Sequence, residues 1–412
     1  MLPSDSFYLS KYGDGTPRLT ADIRSEVGLI VTIPCHNEPH VDRVLADLYS
    51  CITPACEVEV IVMINASGHA PNGVLESNAH SLQQVLRAQQ NAPDWLHIYP
   101  LVDNNLPPKH AGVGLARKYA MDEASWRFEF AQRNDGVIVC LDADCRIPPN
   151  YLVEVFNHFR EHPKTPGCSI WYEHPLDGLD YDRAVYEGII QYEMHLRYYV
   201  LQQQRLHLPY AYQTVGSSMA VRWQDYQREG GMNRRKAGED FYFLHKIIAR
   251  GNFTNLRSTC VMPSPRQSDR VPFGTGRAIM EYLETAGSGM LTYNPRSFQD
   301  LALWLINPRE VEGSTLPESV RTFLELSEWH KAKCEIASNT SSADQFNKRF
   351  YRWFNAFKLM KYLHHARDHY HPDVPVVDAA KAFLYDHKMD PAADSKDLLE
   401  QLRQVESGVS GF

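Results

Sequence analysis

The first half of the chain alternates short apolar runs with amphipathic segments. Four runs have the length and composition of buried strands, at residues 28–34, 58–65, 96–101 and 136–141. Helical periodicity fills the intervals, near residues 39–50, 76–91, 112–132 and 149–162. Strands that alternate with helices form mostly parallel sheets covered on both faces, and continuously apolar strands fit that burial. The pattern therefore predicts an α/β fold.

The pattern changes after Gly167. It predicts a strand at 167–172, a helix at 181–204, a strand at 211–221 and a helix at 239–250 that stops at Gly251. From Arg277 onward the periodicity is helical throughout, with a polar loop at 338–344 and an aromatic-rich helix at 346–365. We expect three parts: an N-terminal extension over residues 1–27, an α/β domain over 28–276 and a helical C-terminal region over 277–412.

Composition narrows the class of protein. Of 412 residues, 43% are hydrophobic and 22% charged, as in a globular protein, and a net charge of −8 argues against nucleic acid as the main partner. The eight cysteines form no CxxC pair, which indicates buried thiols in a reducing compartment. Residues 1–20 lack the apolar core of a signal peptide, and no run predicts a membrane span. We expect a cytoplasmic protein, a location compatible with contact at a membrane surface.

Two carboxylates one residue apart follow the fourth predicted strand, at Asp142 and Asp144. Alternation along an extended chain points both side chains the same way, at the sheet edge where open α/β sheets bind ligands. Carboxylates there suit Mg²⁺ or Mn²⁺, which would in turn hold a diphosphate. The spacing alone also fits a turn, because Asp is common after strands and Pro148 soon follows.

Polar residues also follow the first two predicted strands. Pro34, Asn37 and Glu38 end the first, and Asn65 ends the second. They suit either a nucleoside or the cap of the next helix. The run from Lys109 to Lys118 then opens a helix with G-x-G, but Arg117 stands where a dinucleotide fingerprint needs its third glycine. This run instead supplies glycines that allow a close approach to the backbone, and cations that suit phosphate.

Glu239 and Asp240 begin a later predicted helix. They either complement the helix dipole or provide a general base. Glycines at 216 and 230–231 would let a substrate approach the backbone. Farther along, Arg266 and Arg270 lie in a polar loop that suits either a departing diphosphate or an ordinary surface connection.

Taken in order, PCHNE, NAS, KHAGVGLARK, DAD and GED resemble the motifs of the GT-A glycosyltransferases, specifically the large inverting family 2 group. The resemblance spans residues 28–250 and implies that residues 28–276 form a nucleotide-sugar-binding and catalytic domain. Three positions depart from the family pattern: Ile64 and Asn65 stand where an Asp pair is common, and Lys118 replaces the usual Asn. The region beyond 277 matches no motif of the family.

The resemblance implies a metal-dependent glycosyltransferase of the hexosyltransferase type. It would move sugar with inversion from a UDP- or GDP-sugar to a hydroxyl of a glycan, lipid or small-molecule acceptor. Asp240 would be the general base with Glu239 beside it, Asp144 would bind Mn²⁺ or Mg²⁺, and Asp142 would bind the metal or the ribose. The implied nucleotide-sugar contacts are Pro34, Asn37, Glu38, Asn65, Lys109, Gly112, Arg117, Asp142, Arg266 and Arg270.

Two other interpretations stay open: a retaining GT-A transferase, and an inactive protein that binds sugar nucleotides. A sugar-phosphate nucleotidyltransferase is disfavoured, since residues 35–38 replace the glycine-rich basic loop that it needs after the first strand. Residues suited to lining an acceptor site, or equally to packing a helix on the sheet, are Tyr172, His174, Asp177, Tyr181, Tyr192 and His195.

Overall fold

A computed structural model describes residues 6–13, 17–268, 274–285, 289–310 and 315–408. Seven strands form its main sheet: β1 (Val27–Cys35), β2 (Glu57–Ser67), β3 (Leu96–Leu106), β4 (Val137–Cys140), β5 (Gly167–Tyr172), β6 (Met219–Arg222) and β7 (Thr254–Val261). Their order is β3-β2-β1-β4-β6-β5-β7, and only β6 runs antiparallel to its neighbours. Two short strands, β8 (Leu291–Thr292) and β9 (Val374–Pro375), pair separately.

Helices cover most of the rest of the described chain. The first eight are α1 (Phe7–Tyr12), α2 (Val41–Tyr49), α3 (Asn72–Asn91), α4 (Val113–Phe130), α5 (Tyr151–Glu161), α6 (Arg183–Arg205), α7 (Trp223–Arg228) and α8 (Glu239–Ile248). The last eight are α9 (Thr275–Glu284), α10 (Pro295–Leu305), α11 (Glu318–Leu326), α12 (Trp329–Ser338), α13 (Ala343–Trp353), α14 (Ala356–His369), α15 (Val376–Asp386) and α16 (Ser395–Ser407). The expected α/β class, with a mostly parallel sheet and a largely helical C-terminal region, is confirmed.

Four local predictions were wrong. The strand expected at 211–221 is shorter and consists of β6 alone. Turns occupy the residues before β6, and one of them is closed by the bond from Ser218 N to Val215 O. Strand β7 was missed because exposed polar residues interrupt its apolar positions. The region beyond 277 also contains β8 and β9. The helix expected at 346–365 is split into α13 and α14, because the Asn355 side chain caps the second by accepting from two backbone N–H groups.

The core of the sheet lies around β1, β2 and helix α4. Helix α4 buries charged as well as apolar residues, among them Arg127, which donates to both carboxylate oxygens of Glu59 at 2.6 and 2.8 Å. Both side chains are fully buried. Burying this ion pair is tolerated because both oxygens of the Glu59 carboxylate accept hydrogen bonds from the Arg127 guanidinium. Helix α4 is thus fixed firmly against β2, which fixes the position of its N-terminal end.

The chain divides into two compact units that differ from the boundaries expected from the sequence. Unit 1 comprises Met1–Gly178 and Thr214–Met280, and unit 2 comprises Leu179–Gln213 and Glu281–Phe412. Helix α6 belongs to unit 2 because it packs against α15 and α16, where Glu193 pairs with Arg403. The described part of residues 1–27 belongs to unit 1, since Tyr8 donates to Asp122 of α4 at 2.6 Å. No helix in the described ranges is both long and apolar enough to cross a membrane.

Candidate active site

Asp142 and Asp144 follow β4, and each is ion-paired with an arginine from a distant part of the chain. Nη2 of Arg117 lies 2.9 Å from Oδ1 of Asp142, and Nε of Arg266 lies 3.0 Å from Oδ2 of Asp144. Arg266 also pairs with Glu38, which follows β1. The side chains of Asp142 and Asp144 remain 37% and 27% exposed. A ligand can therefore reach both carboxylates, although each already has a counter-ion.

Arg117 joins the residues after β4 to the start of α8. Besides Asp142, its guanidinium contacts Oε1 of Glu239 at 3.3 Å and donates to the carbonyl oxygen of Gly216 at 2.9 Å. Burial works to lower the pKa of Arg117, but Asp142 and Glu239 together raise it above the ordinary arginine value. The buried cation is stable because its N–H groups are satisfied by carboxylates and a carbonyl.

Asp240 lies next to this arginine. A Cβ atom placed on Gly216 would lie 2.9 Å from Nη2 of Arg117 and 3.1 Å from Oδ2 of Asp240, so any larger residue there would displace these side chains. Oδ1 of Asp240 accepts a bond from Phe241 N at 2.8 Å. Burial raises the pKa of Asp240, an effect that Arg117 opposes. A partly accessible carboxylate with a raised pKa has the properties of a general base.

Glu239 is placed differently from its neighbour. Its side chain is only 3% exposed and is directed to Arg117. Burial raises the pKa of Glu239, and the adjacent charge of Asp240 raises it further. The two carboxylates that begin α8 are thus separated in role: Asp240 reaches solvent, and Glu239 holds the buried cation.

The glycines that open α4 allow another part of the chain to approach. Gly112 lies against Lys236, and a Cβ atom on Gly114 would lie 2.1 Å from the carbonyl oxygen of Arg235. The sequence predicted close backbone approach at these glycines, and the structure shows that residues 235–236 are what approaches. Gly238, with φ of 66°, then turns the chain into α8. The position of Asp240 therefore depends on the first turn of α4.

Gly114→Ala is expected to destabilise the protein by about 1–3 kcal/mol, because the added methyl overlaps backbone that must shift. Gly73→Ala on α3 is the matched control, since a Cβ atom there meets nothing within 4 Å. It is expected to be neutral or to stabilise by up to about 1 kcal/mol through helix propensity. Urea unfolding of both variants measures the difference, and equal unfolding midpoints would show that the loop yields without cost.

The polar residues near the ends of β1 and β2 bond to strand carbonyls and to a residue of α3. Nδ2 of Asn65, a residue that is 3% exposed, donates to the carbonyl oxygens of Cys35 and Met63 at 3.1 and 3.2 Å. Asn37, in a left-handed conformation with φ of 49°, donates its backbone N–H to Oδ1 of Asn78 at 3.0 Å. Asn78, which sequence reasoning missed, also donates to Asn65 O at 2.9 Å. The sequence signal that could have found Asn78 is a polar residue at a position where the helical pattern of α3 predicts burial.

The other predicted site residues are distributed as follows. Pro34 is half-buried in β1, and Lys109 is exposed just before α4. Arg270 lies outside the described residues. Of the residues suggested for the acceptor, unit 1 contains Tyr172, His174 and Asp177, and unit 2 contains Tyr181, Tyr192 and His195.

The two carboxylates after β4 are the ligand type that a hard divalent cation prefers, but they do not form a complete coordination shell. Among the described residues, no group of three His, Cys, Asp or Glu is arranged to hold a metal ion. Two carboxylates are nevertheless sufficient protein ligands for Mg²⁺ or Mn²⁺ when substrate phosphates and water complete the shell. A cation at Asp144 would compete with Arg266, whose Nε lies 3.0 Å from Oδ2 of that carboxylate.

Comparison with known proteins identifies the family. A profile of the glycosyl transferase family group 2 matches residues 137–367, more than half of the chain. No curated protein matches. Among solved structures, S. aureus TarS 1–349 in complex with UDP-GlcNAc is 14% identical, with a TM-score of 0.39, and the match covers 93% of this chain and 91% of that one. The same protein in complex with UDP is 13% identical, with a TM-score of 0.38 and the same coverage. On the profile match, the chain belongs to the glycosyl transferase family group 2 and is a glycosyltransferase.

Proposed function

We propose that this glycosyltransferase transfers a hexosyl group from a UDP- or GDP-sugar to an acceptor hydroxyl with inversion, using a divalent cation, with Asp240 as the general base. One observation carries the proposal. The Arg117 guanidinium contacts both Asp142 and Glu239, and Gly216 fits between Arg117 and Asp240. A candidate donor site and a candidate base thus lie together in unit 1.

The proposed roles follow from burial and charge. Asp240 accepts the proton of the acceptor hydroxyl while that oxygen attacks the anomeric carbon and the bond to the diphosphate breaks, with its electron pair, toward phosphate. The backbone N–H of Phe241 holds the Asp240 carboxylate, and Arg117, which pairs with Glu239, lies near it and lowers its pKa. Arg266 pairs with Asp144 and Glu38 before the donor binds, and its guanidinium suits the diphosphate afterwards. A cation held by Asp144 and Asp142 would supply Lewis-acid stabilisation of the leaving group.

Asp144→Asn is expected to weaken Mn²⁺-dependent binding of UDP by at least about 10–100-fold, the cost of disturbing a metal site even at its outer partners. Calorimetric titration of UDP and GDP, with and without Mn²⁺, measures this loss of affinity. It also shows whether the donor nucleotide carries uracil or guanine. Asp135→Asn, which removes an exposed carboxylate before β4, is the control. Unchanged affinity in Asp144→Asn would remove Asp144 as a metal ligand.

The stereochemistry has its own test. The anomeric proton coupling of the product, measured by NMR against that of the donor, distinguishes inversion from retention. Inversion requires a base that activates the acceptor, which is the role given to Asp240. A product that retains the donor configuration would exclude the proposed mechanism but leave the family assignment intact.

A further inference from the structure

Three consecutive basic residues precede the proposed general base. Arg234, Arg235 and Lys236 are all exposed, and only Ala237 and Gly238 separate them from the start of α8. The chain as a whole carries a net charge of −8, so this triplet is a local reversal of sign. Runs of exposed charge are most often solvated surface. The position of this one, next to Asp240, gives it a different significance.

The loop that carries the triplet is held in one conformation. Oδ1 of Asn233 accepts from Arg235 N at 3.1 Å, and Nδ2 of Asn233 donates to Glu239 O at 2.8 Å. The Arg235 guanidinium lies 3.7 Å from the ring centroid of Tyr242 in α8. On its other side the loop packs against Gly112 and Gly114 of α4. The backbone that carries the three cations is therefore fixed to the same helix start that positions Asp240.

The acidic residues of the candidate site explain why an acceptor with negative charge would need cations nearby. Asp142, Glu239 and Asp240 lie around one buried cation, Arg117, which leaves the site with an excess of negative charge. A negatively charged acceptor approaching Asp240 would be repelled unless cations stood beside its path. Positive charge for the donor is available elsewhere, because Arg266 lies at Asp144. The basic triplet is therefore available to bind the acceptor.

We propose that Arg234, Arg235 and Lys236 select an acceptor that carries negative charge close to the hydroxyl being glycosylated. The inference rests on the proposed function, since it takes Asp240 to be the point where the acceptor hydroxyl is deprotonated. The acceptor class is a glycan bearing phosphate or carboxylate groups. Arg234 and Arg235 match the oxygens of either group through paired N–H bonds, and Lys236 adds a point charge.

The test uses the full chain and two matched pairs of probes. One pair is a short oligogalacturonate and its methyl ester, which removes the carboxylate charge. The other is a phosphorylated maltooligosaccharide and its unphosphorylated form. The variant is Arg234→Gln with Lys236→Gln, which keeps the Lys236 stem that packs against Gly112 and leaves Arg235 on Tyr242. The control is Arg160→Gln with Lys164→Gln, which removes the same charge from an exposed part of unit 1.

Wild type is expected to bind at least one charged probe about five- to ten-fold more tightly than its neutral partner, the scale of two solvent-screened contacts. The preference should fall as salt rises, persist in the control and disappear in the variant. Comparison of the two charged probes separates phosphate from carboxylate. Equal binding of charged and neutral probes would overturn the proposal. Phosphatidylglycerol vesicles test whether the triplet binds a membrane surface instead, and binding to these vesicles alone would also overturn it.

A further measurement separates this inference from the proposed function. UDP affinity in the presence of Mn²⁺ should be the same in wild type and variant. A variant that loses UDP affinity but keeps the oligosaccharide preference would assign the triplet to the donor and overturn the inference. If wild type binds neither UDP nor GDP while still preferring the charged probe, the proposed donor fails and the anion site stands.

Discussion

Asp240→Asn is expected to slow sugar transfer by about 10²–10⁴-fold, the usual contribution of a positioned general base. Nucleotide binding should persist, because Arg117 and Arg266 keep their contacts with Asp142 and Asp144. Steady-state transfer rates and UDP affinity measure the two effects separately. Asp94→Asn, at an exposed position outside the site, is the matched control and should behave as wild type.

The pH dependence of the same two proteins tests the role more directly. Burial raises the pKa of Asp240 above its usual range, and the base acts only when deprotonated. The wild-type rate should therefore rise with pH as Asp240 loses its proton and level off above its pKa. Asp240→Asn should lose that rise. A variant that transfers sugar at a near-normal rate, with the same pH profile, would remove Asp240 as the base.

Arg117→Met is expected to destabilise the protein by about 3–5 kcal/mol, the cost of removing one partner from a buried ion pair. The substitution leaves Glu239 buried without its cation and Asp142 without its partner. Urea unfolding measures the loss. Arg127→Met on the same helix is the control, since it breaks the buried pair with Glu59 and should cost a similar amount.

Activity distinguishes the two arginines. Arg117 opposes the rise in the pKa of Asp240, so its removal should move the rising limb of the pH–rate profile to higher pH. Arg127→Met should leave the profile where it is, because its partner Glu59 lies in β2, away from α8. If Arg117→Met does not fold, Arg117→Gln also removes the charge while keeping N–H donors, and it serves the same comparison. An unmoved profile would show that Arg117 has a structural role only.

Much of this site could be predicted from the sequence because its parts are local. Strand ends are marked by the change from apolar to polar residues, and parallel strands bring their ends to one edge. Asn37 and Asp142 were therefore correctly assigned to strand ends, whereas Asn65 lies within β2, which continues to Ser67. The glycines at the start of α4 also predicted that another group would approach the backbone closely. These signals need no knowledge of which distant residue fills the space.

What could not be predicted is the choice of long-range partners. Arg117 suggested a phosphate contact, and nothing local indicated that Glu239 and Gly216 would surround it. Asn65 suggested a nucleoside contact, whereas its amide group bonds to strand carbonyls. The interrupted apolar pattern of β7 hid a strand at the edge of the sheet. Each of these depends on packing between segments far apart in the chain.

The contact of Arg266 with Glu38 has a consequence for how the protein is made. The two residues are separated by 228 positions, so a ribosome exposes the strands around β1 long before it supplies the arginine. Closing a loop of that length is slow compared with forming local helices. A nascent chain of about the first two hundred residues would hold Glu38, Asp142 and Asp144 without that counter-ion. Synthesis and catalytic competence are thereby separated in time, because the proposed base and Arg266 emerge only with α8 and the segment that follows β7.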